Sequence, residues 1–492
     1  MNITKIFTVI SVLLMSSCSK WIDVKPTDRL AESVLFQTKE GYLKALNGIY
    51  IEMSHPSLYG QFLTAGQLDA MAQYYMSTSS TQPYYYYMTY DYTQSITKAG
   101  FELAWQRAYA TIANINVLME NIPDSPNSIL PEPYYGLVKG EALALRAYLH
   151  LDMLRLFGPI YTTETKDVPT IPYYRDANRD ISPLYTAEKI TEFLLNDLNE
   201  AKELLATTDP IRTSGSKDAA PSEGKEGNAF ALRQYRLNYY AVQALLARTY
   251  LWKGDNQRAW EVATQTIDAI GQADQNIFPF VTHAAATNGD NPDRLFETEV
   301  FFAIYSLNRT QMYNNLFSSA QIIPNRLAPN PGNTNMSRVE AMYDDKNDYR
   351  YKIWNTETLI GVPLVTNQKY KDHDNYSARY MIPLIRLSEL YLTAAECAGS
   401  VEQASAFINE LRANRGAFQL TLSDYTALQN AITNEHRREF IGEGQQFYYY
   451  KRRAFTSIPN HASLTSTKLM SINSYHVPLP DSETALRNTD ER

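Results

Sequence analysis

Residues 245–263 read LLARTYLWKGDNQRAWEVA, two helical runs broken by a Gly254–Asp255 turn. Leu246, Ala247 and Tyr250 recur at helical intervals on the first run, and Ala259 and Ala263 on the second. If Ala247 and Ala259 face each other, their small side chains let two antiparallel helices approach closely. The unit is repeated: Ala142, Leu143, Arg146, Tyr148 and Leu149 recur as Ala244, Leu245, Arg248, Tyr250 and Leu251. Such recurrence predicts stacked supersecondary units.

The stretch resembles a tetratricopeptide repeat. Leu246, Ala247, Tyr250, Gly254 and Ala259 stand where that repeat keeps its large, small, aromatic, turn and small residues, while Ala263 replaces a frequent aromatic. Helical patterning also covers 101–122, 136–158, 187–206, 240–254, 256–270, 385–399 and 401–416. Within 136–158, Ala142, Leu145, Leu149, Met153 and Leu156 predict one buried face, and Gly158–Pro159 stops the helix. Ser400 and Gln403 have capping-box spacing, so a helix is expected to start there, just after Gly399 closes the preceding one. Irregular sequence fills about 55–100, 208–230 and 273–383, with short β-like runs such as ETEVFFAIYS at 297–306. The expectation is an all-α fold in one domain over 31–492: a tetratricopeptide-like helical-repeat scaffold carrying a loop-rich, irregular half with minor β-strand.

At the N-terminus, Lys5 precedes a mainly apolar ten-residue run, Ile6 to Met15. That is too short to span a bilayer as a helix and suits a signal peptide. Cys18 directly follows LMSS, a pattern that resembles the lipobox of bacterial lipoproteins. The resemblance implies a signal peptide over 1–17, cleavage before Cys18, lipid on its sulfur, and a tether over 18–30. Of the two cysteines only Cys397 then remains, so no intramolecular disulfide forms, and its apolar setting LYLTAAECAG reads as a buried, inert thiol. Net charge is −8, or −8 − 1 = −9 once Lys5 is removed. The positive charges are scattered, which argues against a nucleic-acid partner.

Seven histidines are dispersed, with no HExxH, paired-cysteine, GxSxG or Walker motif. The reading therefore assigns no catalytic residue, metal or cofactor. YDDKNDYR (343–350) and KDHDNYS (371–377) lack the central glycine of a calcium loop and read as solvated turns. FIGEGQQF (440–447) begins like a phosphate loop but follows a helical run and lacks the third glycine. A glycosidase needs only two carboxylates at a set separation in space, which sequence leaves open.

Seven motifs in order carry a wider resemblance: the lipobox followed by WIDVKP (21–26), GEALALRAYLHLDMLRLFGPI (140–160), ALLARTYLWKGD (244–255), LIRLSELYLTAAECAG (384–399), INELRANRG (408–416), EHRREFIGEGQQFYYYKR (435–452) and VPLPDSETALRN (477–488). Together they resemble the SusD/RagB family of outer-membrane nutrient-binding lipoproteins of Gram-negative bacteria. Gln446, Tyr449 and Tyr450 depart from the residues most frequent there. The resemblance implies four tetratricopeptide-like pairs supporting a ligand-bearing irregular half. It also implies an outer-membrane, surface-exposed location and partnership with a SusC-like TonB-dependent transporter, with glycans, or sometimes peptides, captured for import. A surface glycoside hydrolase and a helical adaptor that binds only proteins are the competing functions.

Ligand residues lie outside the shared motifs, so they are sought by chemistry. TQPYYYYMTYDYTQ (81–94) crowds six tyrosines into nine positions. Read as an extended segment, it places Tyr84, Tyr86, Met88, Tyr90 and Tyr92 on one side and Tyr85, Tyr87, Thr89 and Asp91 on the other. A phenol covers the apolar face of a sugar ring while neighbouring polar groups take its hydroxyls. At about 25 cal/mol per Å², burying roughly 60 Å² contributes ~1.5 kcal/mol. Tyr85 and Tyr87, with Tyr74, Tyr75 and Trp354 from other irregular stretches, are the candidate ligand-binding residues. Phe447 to Tyr450, beside helical sequence, read instead as scaffold packing.

Overall fold

A computed structural model describes residues 34–489, apart from 179, 216–229, 273–276, 290, 331–333, 360–361 and 374–375. Cys18, the predicted signal peptide, the tether and most of 208–230 lie outside the described residues. The chain is mostly helical, 52% helix against 9% strand. The scaffold helices are α1 (Lys39–Met53), α2 (Ser95–Asn121), α3 (Tyr134–Phe157), α4 (Ala187–Thr208), α5 (Tyr239–Lys253), α6 (Asn256–Gly271), α7 (Leu387–Cys397), α8 (Val401–Ala413), α9 (Tyr425–Glu439) and α10 (Gln445–Arg452).

Consecutive helices form the hairpins α3–α4, α5–α6 and α7–α8, and these stack through α4 on α5 and α6 on α7. The α5–α6 turn follows from two residues. Gly254, at φ 80°, closes α5 in the left-handed region, and the Asp255 carboxylate accepts the Arg258 N–H to start α6. Ala247 and Ala259 are both buried at this hairpin. Ser400 caps α8 through the Gln403 N–H as expected, but Gln403 Oε1 accepts from Gly399 N–H rather than from Ser400. Helix α7 ends at Cys397, with extended Ala398 rather than Gly399 as its cap.

The expectation of one buried face on α3 is corrected, because every α3 residue except Lys139 is buried. Packing against α1, α2, α4, α5 and strand β1 (Pro169–Pro172) surrounds it. Its polar side chains find partners inside. Glu141 pairs with Arg233, Arg146 donates twice to Asp197 at 2.8 Å, and Asp152 accepts from Tyr59 Oη at 2.9 Å. The repeat-equivalent Arg248 likewise donates to both oxygens of Glu389 on α7, at 2.6 and 2.7 Å. The repeated arginine is thus a clamp in both units, Arg146 holding the two helices of one hairpin together and Arg248 tying α5 to α7 of the next hairpin.

The irregular layer carries the remaining strands. β1 pairs with β2 (Leu184–Thr186), β3 (Val300–Tyr305) with β6 (Met381–Arg386), β4 (Trp354–Leu359) with β5 (Val362–Asn367), and β7 (Ser457–Asn460) with β8 (Ser463–Leu469). All are antiparallel, two-stranded ribbons. Phe302 of β3 meets Tyr148 of α3 edge-on at 5.7 Å, which seats the layer on the scaffold. Phe447, Tyr448, Tyr449 and Tyr450 are buried, as scaffold packing requires.

The Gly442–Gly444 loop does hold an acid, but an internal one: both backbone N–H groups donate to the buried carboxyl of Asp69. Gly444 sits at φ 69°, where a Cβ atom would stand 2.2 Å from the Leu63 carbonyl oxygen. Only glycine fits there without displacing backbone.

Candidate functional site

The tyrosine run is corrected from extended to helical. Tyr85–Thr89 forms a single turn, which Tyr90 ends at φ 59°. A helical period places Tyr84, Tyr87 and Met88 on one side, and all three are buried. Tyr87 packs edge-on against Phe62 (5.9 Å) and Phe101 (5.5 Å), and its hydroxyl donates to Ile96 O at 2.9 Å. Tyr90 and Tyr92 are buried too, donating to Met71 O and Ser474 O at 2.6 and 2.7 Å. The outward pair is therefore Tyr85 and Tyr86, half-buried and edge-on to each other at 5.4 Å, with the His461 ring 6.1 Å from Tyr85. The change of period from 2 to 3.6 transfers the outward role from Tyr87 to Tyr86.

Tyr74, Tyr75 and Trp354 are brought together, from segments far apart in sequence. Tyr75 stands 6.2 Å from Tyr74, 6.3 Å from Trp354 and 5.8 Å from Phe317. Their exposures are 0%, 0% and 5%, so they form a floor beneath the irregular layer rather than an open face. Both hydroxyls are engaged, one by the scaffold and one by the layer. Tyr74 donates to Arg437 O at 2.8 Å, and Asn367 Nδ2 of β5 donates to Tyr75 Oη at 3.1 Å. Burial pushes both phenols well above their ordinary pKa.

Beside this floor lies a charged rim. Glu357 of β4 accepts from Lys371 Nζ and from Gln368 Nε2 (3.1 Å), and Gln368 Oε1 accepts from Arg294 (3.3 Å). Burial raises Glu357, but the hydrogen bond and charge of Lys371 outweigh it and hold the carboxyl below its ordinary range. Sequence reasoning missed Tyr86, His461, Arg294, Glu357 and Gln368. For Tyr86 the helical period was the available signal; the others lie too far apart in the chain to form a pattern.

Two clefts lie elsewhere. One of about 820 Å³ is lined by Glu120, Arg146, Tyr174, Asp176, Tyr185 and Glu200 among others, and one of about 710 Å³ by Tyr92, Lys98, Phe101 and Pro480 among others. Neither contains a predicted ligand residue. Among the described residues no group of three or more His, Cys, Asp or Glu side chains is placed to hold a metal ion, and no helix is long and apolar enough to cross a membrane. The Cys397 thiol is half-buried and pushed up to about 12, mainly by burial, so it stays protonated at neutral pH.

Residues 20–223 match a family profile described as "Starch-binding associating with outer membrane". Among curated proteins, the chain is 27% identical to SusD-like protein P2 of Formosa agariphila over 56% of this chain and 48% of that protein. It is 20% identical to SusD-like protein P38 of the same organism over 91% of this chain and 90% of that protein. A SusD superfamily protein from Bacteroides thetaiotaomicron superposes with a TM-score of 0.68 at 22% identity, covering 91% of this chain and 98% of that one. Surface glycan-binding protein A from the same organism superposes with a TM-score of 0.63 at 15% identity, covering 92% and 98%. The SusD family profile matches residues 217–482, more than half of the 492, and the chain belongs to the SusD family.

Proposed function

We propose that this protein is a cell-surface glycan-binding lipoprotein that captures an oligosaccharide or polysaccharide and delivers it to a SusC-like TonB-dependent transporter, without catalysing a reaction on it. The observation that carries the reading is family membership combined with near-complete superposition on a surface glycan-binding protein. In this reading Cys18 is acylated and holds the protein at the outer membrane. Tyr85 and Tyr86 supply outward, half-buried phenol faces, and the Tyr74, Tyr75 and Trp354 floor supports the β4–β5 ribbon.

Isothermal titration and a glycan array on the protein lacking residues 1–17 test it. Saturable binding of at least one glycan, with the glycan recovered intact, is the expected result. Binding of peptides but no glycan changes the nutrient class; release of shortened sugars makes it a hydrolase.

A further inference from the structure

Six arginines rank among the largest fully buried side chains: Arg233, Arg309, Arg326, Arg386, Arg412 and Arg415. Four of them meet two carboxylates each. Arg233 has Asp209 and Glu141, Arg386 has Glu439 and Glu443, Arg412 has Glu435 and Asp344, and Arg415 has Glu299 and Glu439. Arg309 donates to the carbonyls of Ala378 (2.7 Å) and Met381 (3.3 Å). Arg326 is the exception. It is 2% exposed, and its Nε, Nη1 and Nη2 all lack an acceptor. Burying a guanidinium with neither acceptor nor counter-charge is unfavourable; Arg309 shares this in part, its Nε and Nη2 lacking acceptors, but it keeps two carbonyls and has Asp372 at 3.9 Å.

Its position is informative. Leu327 N–H donates to Leu316 O at 2.7 Å and Met76 N–H donates to Ala328 O at 2.9 Å, so the segment just after Arg326 is bonded to the residue before Phe317 and to the residue after Tyr75, two rings of the aromatic floor. The carboxylate it senses is Glu357, already bonded to Lys371 and Gln368. Arg294 is tied to Glu357 through Gln368, at 3.3 and 3.1 Å, and its Nε lacks an acceptor. Arg294, Arg326 and Lys371 against Glu357 leave 3 − 1 = 2 positive charges here, in a chain of net charge −8.

We infer that Arg326 and Arg294 form an anion-binding subsite at the edge of the aromatic floor, and that the captured glycan is acidic, bearing a uronate carboxylate or a sulfate ester. The guanidinium fork matches the paired oxygens of either group, and a neutral sugar offers only hydroxyls. The inference rests on the glycan-binding reading for its ligand, but not for its anion.

Titration of matched neutral, uronate-containing and sulfated oligosaccharides against wild type, Arg326→Met and Arg294→Gln tests it. The acidic sugars are expected to bind about tenfold or more tighter than the neutral one. In both variants that ratio falls toward one, and added salt narrows it in wild type; the two acidic arms separate carboxylate from sulfate. In parallel, thermal unfolding of ligand-free protein is followed with sodium sulfate or sodium galacturonate against sodium chloride at equal ionic strength. A saturable, anion-specific rise in Tm in wild type, absent from Arg326→Met, is expected. Equal affinities with no anion-specific rise overturn the subsite while glycan binding stands. An anion-specific rise with no glycan bound keeps the subsite and removes the glycan reading. Should Arg326→Met fail to fold, Arg326→Lys, which keeps the charge and loses the fork, carries the same comparison.

Discussion

Gln73 Oε1 accepts two hydrogen bonds from His461, one from its backbone N–H at 2.9 Å and one from Nδ1 at 2.8 Å, so the imidazole carries its proton on Nδ1. Gln73 is itself in the left-handed region at φ 64°, and its Nε2 donates to Met88 O (2.9 Å) and Tyr90 Oη (3.0 Å). One amide thus joins the Tyr74–Tyr75 segment, the tyrosine turn and the β7–β8 ribbon.

Burial first, then Lys468 and Arg338, lowers His461 to about 4. Because the folded value lies below the unfolded one, the stabilisation is complete above about pH 6.5 and is lost as pH falls through 4. Burial lowers His150 and His436 to about 3 and about 4, in the same direction. The urea midpoint is expected to fall between pH 7 and pH 4.5, and to fall less in His461→Gln. A midpoint unchanged over that range in wild type contradicts this account.

Asp69 has the opposite sign. Burial raises it to about 8, against the two glycine N–H bonds and Lys369. A raised carboxyl makes the folded state give up stability as pH climbs from its unfolded value, about 4, through 8. Asp69→Asn removes that titration but turns an amide NH₂ toward one glycine N–H, at a cost of about 1–3 kcal/mol. Chemical denaturation is expected to show the larger cost at pH 5 and a smaller one at pH 8.5; a cost equal at both counts against the assignment.

Ala247→Leu overpacks the α5–α6 hairpin and is expected to destabilise by about 1–3 kcal/mol. Denaturation followed by circular dichroism measures it, and an unchanged midpoint removes Ala247 from that contact.

The tyrosine turn separates two roles. Tyr85→Ala and Tyr86→Ala are each expected to weaken glycan binding roughly tenfold while leaving stability within about 1 kcal/mol. Tyr87→Ala is expected to destabilise by about 3–5 kcal/mol through its lost packing. If Tyr85→Ala and Tyr86→Ala bind within twofold of wild type, the outward pair is not the sugar platform.

Cys18→Ala is expected to abolish incorporation of labelled fatty acid and release the protein from outer-membrane fractions. Retention of the label in the variant refutes the anchor.

The helical hairpins were legible because their signals are local: the period of 245–263, Gly254 for the left-handed cap, Asp255 for the next start. Strand β3 was visible in ETEVFFAIYS for the same reason. The full burial of α3 was not, since the partners that permit Arg146, Glu141 and Asp152 inside are Asp197, Arg233 and Tyr59, none of them neighbours in sequence. Six tyrosines in nine positions satisfy a strand or a helical turn equally well, and only the surrounding walls chose Tyr86 over Tyr87. Nothing local in IIPNRLAPN distinguishes Arg326 from a solvated arginine.

The bonds from Asp69 to Gly442 and from Gln73 to His461 join positions 373 and 388 residues apart. Their consequence is one of timing. As the chain is made from its N-terminus, the segment that becomes the aromatic floor has no partner for the Asp69 carboxyl or the Gln73 amide until residues 442–461 follow. Contacts of such long sequence separation form slowly, so these two fastenings are expected to close late in folding.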